Sequence, residues 1–272
     1  MRPFAALIAG VVATIAAVVT VPLLWVSTHV ADEDGYVAFS SEVVDDEELR
    51  DAFVAFLVDD YAQRGLLPEA LQGAVTSALT AVTRETVNQP GFTEAWEQTQ
   101  HSFHRSAFGE DEGPLVVQVA PLADFALGRV GSALPVSLEV PDDLSATVGT
   151  AKDRERLHWV ERSQTFALLG LMVVLAAAAV SLVVARSRPV ALAGLGLGAL
   201  AAAGVLRVVT EIVTPRLIDR ADNLTPFAKT FQQLAFSRAS ESLSVWLGYV
   251  AIGGGAAVVL GVVGRLVTGR PR

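Results

Sequence analysis

The sequence contains no cysteine, and only 18% of its 272 residues are charged. Without cysteine there are no disulfide bonds, thiolate metal sites, iron–sulfur clusters or cysteine nucleophiles. The charged fraction lies below the roughly 25% of soluble domains, which excludes a disordered chain or a protein that coats nucleic acid, because both depend on charge. Apolar residues make up 52% of the chain. This composition indicates a membrane protein.

Four segments contain no Asp, Glu, Lys or Arg: residues 4–26, 165–185, 189–206 and 244–264. An α-helix rises about 1.5 Å per residue, so about 20 residues cross the roughly 30 Å hydrocarbon layer of a bilayer. The third segment is shorter, and Arg207 at its end can extend its guanidinium towards the membrane surface. The sequence therefore predicts four transmembrane helices, the last three of them within a region at 164–264.

The first of these segments has the position of a secretory signal peptide. Its apolar stretch is longer than the roughly 7–15 residues of a signal-peptide core, and no small-x-small cleavage site follows it. Residues 1–26 are therefore predicted to form an uncleaved N-terminal anchor.

The charges outside the apolar segments are distributed unevenly. Residues 27–163 contain 25 acidic and nine basic residues. The ends on the other side of the segments carry arginine and no acidic residue: Arg2, Arg186, Arg188, Arg265, Arg270 and Arg272. Because positively charged flanks stay in the cytoplasm, both termini are predicted to be cytoplasmic, including a tail at 265–272. Residues 27–163 and 207–243 are then extracytoplasmic parts of a multi-pass protein in the cell membrane.

The longer extracytoplasmic segment is predicted to fold as a small α+β domain that is mostly helical. A first helix begins at Asp45, where Glu48 completes a capping box, and it ends at Gly65. A second helix begins near Pro68, and a third covers residues 93–107. The acidic residues near the start of the domain are interpreted as partners of helix dipoles and as a solvated face beside the membrane.

After the third helix the spacing of apolar residues changes from helical to alternating. Residues 115–119 and 134–140 are predicted to be short strands on either side of a helix at 121–130, an order that favours a parallel pair. Asp142 or Asp143 is predicted to cap a last helix that continues into the second transmembrane segment. Such a helix would couple the domain to the membrane.

The second extracytoplasmic segment is interrupted by Pro215 and Pro226. After Pro226, the spacing of Phe227, Phe231 and Leu234 predicts an amphipathic helix that leads into the fourth transmembrane segment. This helix is expected either on the bilayer surface or against the domain.

The polar group in the domain that most suggests metal binding consists of Glu97, His101 and His104. Residues three or four apart share one helix face, so one carboxylate and two imidazoles there could bind zinc or another divalent cation. No His-Glu-x-x-His pattern accompanies them. The alternative is a polar helix face on which His104 forms a hydrogen bond within the domain. No cofactor is predicted.

Motifs for other chemistry are missing. The sequence contains no Gly-x-Ser-x-Gly elbow, no Walker phosphate loop and no dinucleotide fingerprint. The apolar segments contain no ionisable residue, which argues against ion or proton transport by this chain alone. Gly194 with Gly198, and Ala257 with Gly261, form small-xxx-small faces that predict close helix packing. This packing is expected either within the bundle or against a partner.

Two motifs carry a family resemblance. Phe92, Trp96 and His104 give the pattern Phe-x3-Trp-x7-His, and Leu-Val-Val-Gln-Val-Ala-Pro-Leu follows at residues 115–122. With these motifs the chain resembles a family of uncharacterised actinobacterial integral membrane proteins along nearly its whole length. The resemblance implies one N-terminal span, an extracytoplasmic domain and three further spans. It implies no activity, cofactor or site residue.

We therefore expect a non-enzymatic integral membrane protein of the cell envelope. Its outer domain is expected to bind an envelope protein, a lipid-linked component or a second copy of the chain, while the spans contact the lipid bilayer. Nucleic acid is not an expected partner. Two alternatives remain, a metal-dependent envelope enzyme that uses Glu97, His101 and His104, and a sensor or accessory subunit of a membrane complex.

Overall fold

The structure is a computed structural model that describes residues 2–86, 90–109, 113–133, 139–218 and 225–268. Most of the described residues are helical, and two short strands among them form a sheet. The elements in chain order are α1 (Arg2–Val26), a π-helical turn (Ser27–Ala31), α2 (Glu33–Val44), α3 (Glu47–Gln63), α4 (Glu69–Thr86), α5 (Pro90–Phe108), β1 (Leu115–Gln118), α6 (Ala120–Ala133), β2 (Ser145–Gly149), α7 (Ala151–Glu161), α8 (Ser163–Val184), α9 (Arg188–Ile218) and α10 (Pro226–Thr268).

Four helical stretches are long and apolar enough to cross a membrane: Pro3–Ala31, Ala151–Val184, Arg188–Val213 and Pro226–Thr268. Their surfaces are covered by large apolar side chains that stay exposed in the folded chain, as at Val183. Such a surface is unfavourable in water and is compatible with lipid. The predicted mainly α-helical architecture with four apolar helices is therefore confirmed.

Contacts between residues divide the chain into two compact units. We call Met1–Thr28, Arg162–Arg216 and Ala239–Arg272 the apolar unit, and we call His29–Glu161 with Leu217–Arg238 the polar unit. The polar unit thus combines residues from both long segments between the apolar helices.

The second of these segments packs into the core of the polar unit at the start of α10. The ring of Phe227 lies 5.8 Å from the ring of Phe53 and 5.5 Å from that of Phe56, and Ala228 is fully buried. Of the two predicted positions for this amphipathic helix, the structure shows the one against the domain. The helix is also longer than predicted, because α10 continues without a break as far as Thr268.

The core of the polar unit lies among α3, α4, α5 and α6. Its central side chains are aliphatic, and they include Leu49, Leu57, Leu79 and Leu144, each at most 2% exposed. Three helical predictions for this region are confirmed, namely a helix that ends at Gly65 with φ of 71°, a helix after Pro68, and a third helix that includes residues 93–107.

The start of the first predicted helix is corrected by one residue. Asp46 is the N-cap of α3, and its carboxylate accepts a hydrogen bond from the Glu48 backbone N–H at 2.9 Å. Asp45 instead has right-handed helical backbone angles and ends α2. The acidic stretch before it is helical as well, because Asp32 caps α2 by accepting from the Gly35 backbone N–H at 2.8 Å.

The predicted parallel strand pair is wrong. β1 pairs with Ser145–Gly149 in antiparallel order, with Val117 opposite Ala146. Of the predicted second strand, residues 134–138 lie outside the described residues, and 139–140 do not form a strand. The strand that pairs with β1 lies later in the chain than predicted, since 11 residues separate α6 from β2.

The helix that precedes the second apolar segment begins at Ala151, so Asp142 and Asp143 do not cap it. Instead Thr150 and Asp153 form a capping box. The Thr150 backbone N–H and hydroxyl donate to the Asp153 carboxylate at 3.0 and 2.7 Å. These hydrogen bonds from Thr150 lower the pKa of the Asp153 carboxyl below its ordinary value. The helix connection into the apolar segment remains, with only residue 162 between α7 and α8.

Candidate functional site

Helix α5 presents one face to the core of the polar unit. Phe92, Trp96 and Gln100 are at most 4% exposed, Ala107 is 1% exposed, and Phe103 is half-buried. The face therefore places an amide and an indole N–H among apolar side chains. Buried polar groups of this kind need partners, since an unpaired one costs about 1–3 kcal/mol.

One partner comes from α2, and it belongs to a group of polar residues between α2 and α5. The Tyr36 hydroxyl donates a hydrogen bond to Gln100 Oε1 at 2.9 Å. Burial raises the pKa of the Tyr36 hydroxyl above its ordinary value, so this group is a neutral donor at physiological pH. We call the group the α2–α5 cluster; it consists of the Val30 carbonyl, Glu33, Tyr36, Gln100, His101 and His104.

The two histidines of the cluster have different partners. His101 Nδ1 lies 2.7 Å from Glu33 Oε1, and both side chains are a little over one third exposed. His104 is 6% exposed, and its Nε2 lies 3.1 Å from the carbonyl oxygen of Val30. A carbonyl oxygen only accepts, so Nε2 of His104 carries a proton. The hydrogen bond of His104 within the domain, predicted as the alternative to metal binding, is present.

The carbonyl that His104 binds belongs to the π-helical turn after α1. A π-helical turn shifts its hydrogen bonds to the fifth residue along the chain, and such turns often occur at functional sites. The His104 ring also contacts two aromatic rings, Tyr36 at 5.4 Å and Phe108 at 4.5 Å between centroids. The cluster therefore holds the residues between Val30 and Tyr36 onto α5.

The structure does not gather the predicted metal ligands. Glu97 is exposed, His101 pairs with Glu33, and His104 points its Nε2 at a backbone carbonyl. Over the described ranges, no three His, Asp or Glu side chains are grouped so that they could hold a metal ion. What the cluster offers chemically is one imidazole oriented by a carboxylate, which can hydrogen-bond to a partner.

A second polar anchor of the unit is Arg154 on α7, which is 6% exposed. Its Nε donates to the Gly113 carbonyl at 3.1 Å, one terminal nitrogen donates to the Pro114 carbonyl at 2.9 Å, and the other donates to the Ser106 carbonyl. Carbonyls near the end of a helix have no partner within it, and this guanidinium supplies donors for them. Arg154 thus joins α7 to the end of α5 and to the residues just before β1.

The start of α10 closes the remaining side of the core over α5. The Phe231 ring lies 6.4 Å from the ring of Trp96, and Gln232 Nε2 donates to the Val148 carbonyl of β2 at 2.8 Å. Trp96 Nε1 is buried without a hydrogen-bond partner among the described residues. The cavities beside Trp96 are small and are lined mainly by apolar residues.

The predicted glycine faces are used in part inside the apolar unit. A Cβ atom on Gly198 would collide with the Thr14 hydroxyl of α1, and one on Gly261 would lie 2.5 Å from the Pro189 carbonyl oxygen of α9. A Cβ atom on Gly194 would meet nothing within 4 Å, and Ala257 is half-buried.

A second close approach of α9 to α10 involves Gly196 and Gly254, which were not predicted as packing residues. A Cβ atom on Gly196 would lie 2.5 Å from the Gly254 carbonyl oxygen. Gly254 and Gly261 are seven residues apart and therefore share a helix face, which is the signal that identifies them. Small residues let helix backbones approach closely in a membrane.

Comparison with known proteins gives no relative from which a function could be transferred. The chain matches no protein family, no curated protein sequence and no solved structure. The resemblance to actinobacterial membrane proteins therefore stays a prediction.

Proposed function

We propose that the protein is a non-enzymatic, partner-binding membrane protein of the cell envelope, with its polar unit outside the cytoplasm. The main support for this proposal is that two separate segments between apolar helices fold together around one core to form the polar unit. A simple membrane anchor needs one connection to its domain. Here the chain passes between the two units four times, an arrangement suited to presenting a folded surface at the membrane.

The charge of the polar unit suggests the chemistry of its partner. Residues 27–163 carry a net charge of −16, from 25 acidic and nine basic side chains. A field of this sign attracts positively charged surfaces and repels acidic ones. The proposed partner is therefore an envelope protein with a basic contact face, or a lipid-linked component that carries cationic groups.

Affinity purification of the tagged full chain from its native membranes in mild detergent tests this function. We expect a second envelope component to co-purify, and its yield to fall when salt is raised from about 0.1 M to about 1 M, because the screening length shrinks from about 10 Å to about 3 Å. An unrelated tagged multi-pass protein is the control. Recovery of the chain alone, in the presence of a membrane-permeant crosslinker, would contradict the proposal.

The proposed orientation has its own test. A reporter that is active only in the cytoplasm, fused after Gly269, is expected to give signal, and the same reporter inserted at Gly65 is expected to give none. Gly65 lies in an exposed turn of the polar unit, where an insertion disturbs little packing. The reverse pattern would place the polar unit in the cytoplasm.

A second candidate function, a sensor or accessory subunit, is favoured by α10. Phe227 of this helix packs in the polar core, and the same helix extends to Thr268 at the end of the fourth apolar stretch. A helix transmits rotation and translation along its axis better than a loop does. Insertion of two glycines between Arg238 and Ala239 is expected to abolish signalling while partner binding persists. Loss of both would not support a sensor.

A further inference from the structure

The most exposed large aromatic side chain of the polar unit lies next to an apolar helix. Trp159, on the last turn of α7, is 68% exposed. It precedes the first residue of α8, Ser163, by four positions, which corresponds to about 6 Å along a helix. An indole is a large apolar body with one polar N–H, and such side chains are enriched where membrane lipid meets water.

The other tryptophans near the ends of the apolar helices differ in exposure, since Trp25 is only 6% exposed whereas Trp246 is half-buried. Trp25 lies at the end of α1, and its Nε1 donates to the Ser242 hydroxyl of α10 at 3.1 Å. Trp246 lies one turn further along α10, and Tyr249 beyond it is 69% exposed. Three of the four tryptophans therefore mark the ends of the apolar helices that connect to the polar unit.

The face of α7 that carries Trp159 is also charged. Arg156 precedes Trp159 by three residues, and its side chain is 67% exposed while it pairs with Asp153 at 3.2 Å. Lys152 precedes Trp159 by seven residues, so it shares the same helix face about 10 Å further from α8. Glu155, four residues before Trp159, is exposed on this face as well, so the face carries charges of both signs. Charged residues beside a tryptophan at the end of an apolar helix are suited to contact with polar lipid headgroups.

We propose that the last turn of α7 is a lipid-binding surface, with the Trp159 side chain in the headgroup layer of the bilayer. The ring is then covered by lipid rather than by water or by a protein. Arg156, one turn back, is placed to interact with lipid phosphates. This proposal does not depend on which side of the membrane carries the polar unit.

The cysteine-free sequence gives a direct test. Trp159→Cys and Lys152→Cys are made in the full chain, each is labelled with a nitroxide, and the protein is reconstituted in phosphatidylcholine vesicles. Power-saturation spectroscopy then compares collisions with oxygen, which concentrates in lipid, and with a water-soluble nickel chelate. We expect the oxygen-to-nickel ratio to be several-fold higher at 159 than at 152.

Two results would overturn the proposal. An equally low ratio at both sites would place Trp159 in water. Low collision rates with both reagents at 159 would indicate that a protein covers it. An independent measurement without labels uses lipids that carry bromine near the headgroup and quench tryptophan emission. The quenched fraction is compared between the unmodified chain and Trp159→Phe. The proposal requires that the variant lose quenchable emission, and equal quenching in both would contradict it.

Discussion

Arg154 gives the sharpest test of how the polar unit is held together. Replacement by methionine keeps the apolar stem and removes a guanidinium that donates to the carbonyls of Ser106, Gly113 and Pro114. A hydrogen bond to a charged donor contributes about 1.5–3 kcal/mol. The Ser106 carbonyl lies near the end of α5 and those of Gly113 and Pro114 lie just before β1, and hydration of the freed carbonyls would offset part of this loss. We therefore expect Arg154→Met to lower the free energy of unfolding by about 3 kcal/mol.

Thermal unfolding of the full chain in mild detergent, followed by tryptophan emission, measures this loss. For a unit of this size, 3 kcal/mol corresponds to roughly 6–12 °C in the melting temperature. Arg154→Lys is expected to recover only a small part, because an ammonium cannot reach three separated carbonyls as a planar fork does. The control is Arg156→Met on the same helix, which breaks one exposed ion pair with Asp153 and should cost less than about 1 kcal/mol. Equal shifts for the two methionine variants would refute the reasoning.

Three further predictions concern other single contacts. Asp153→Asn should lower the free energy of unfolding by about 1 kcal/mol at pH 7. The folded pKa of Asp153 is lowered, so its stabilising contribution is present above the ordinary value of about 3.9 and is lost as pH falls below it. The unfolding free energy of the variant should therefore change less steeply with pH in the acid range. Gly261→Ala should cost about 1–3 kcal/mol in detergent unfolding, because the new methyl meets the backbone of α9, whereas Gly253→Ala, with nothing within 4 Å, should cost nothing measurable. Tyr36→Phe should lower the unfolding free energy by about 1–3 kcal/mol, since it leaves the buried Gln100 Oε1 without its donor, and an unchanged denaturant midpoint would contradict the described bond.

Local sequence patterns were sufficient to predict the helices that a few neighbouring residues determine. The apolar helices follow from uninterrupted apolar composition, and the end of α3 follows from Gly65, whose φ of 71° suits glycine. Thr150 and Asp153 have the spacing of a capping box, which is a local signal for the start of α7. The prediction that Asp142 or Asp143 caps this helix was wrong, because residues 145–149 form β2 between that pair and α7.

The contacts between distant segments had no comparable signal. Val30 and His104, or Glu33 and His101, are separated by about 70 positions, and nothing in either segment specifies the other. The metal site was predicted from residues that share one helix. In the structure His101 and His104 instead pair with Glu33 and Val30, which precede α3 in the chain. Strand direction was wrong for a related reason, because it depends on the route of the chain after α6.

The joint core of the polar unit also bears on the shortest of the predicted spans. Residues 189–206 fall slightly short of the roughly 20 residues that a helix needs to cross a bilayer. The two inter-span segments are separated along the chain by α8 and α9 only. Phe227 from one segment packs on Phe53 from the other. If this shared core occupies one side of a membrane, α8 and α9 either both cross the membrane or both fail to cross it. The charge-free run of α8 meets the length for crossing, so we expect α9 to cross with it. A reporter placed between them, beside Arg186, should lie on the side opposite to the polar unit, and a signal from the same side would require a different number of spans.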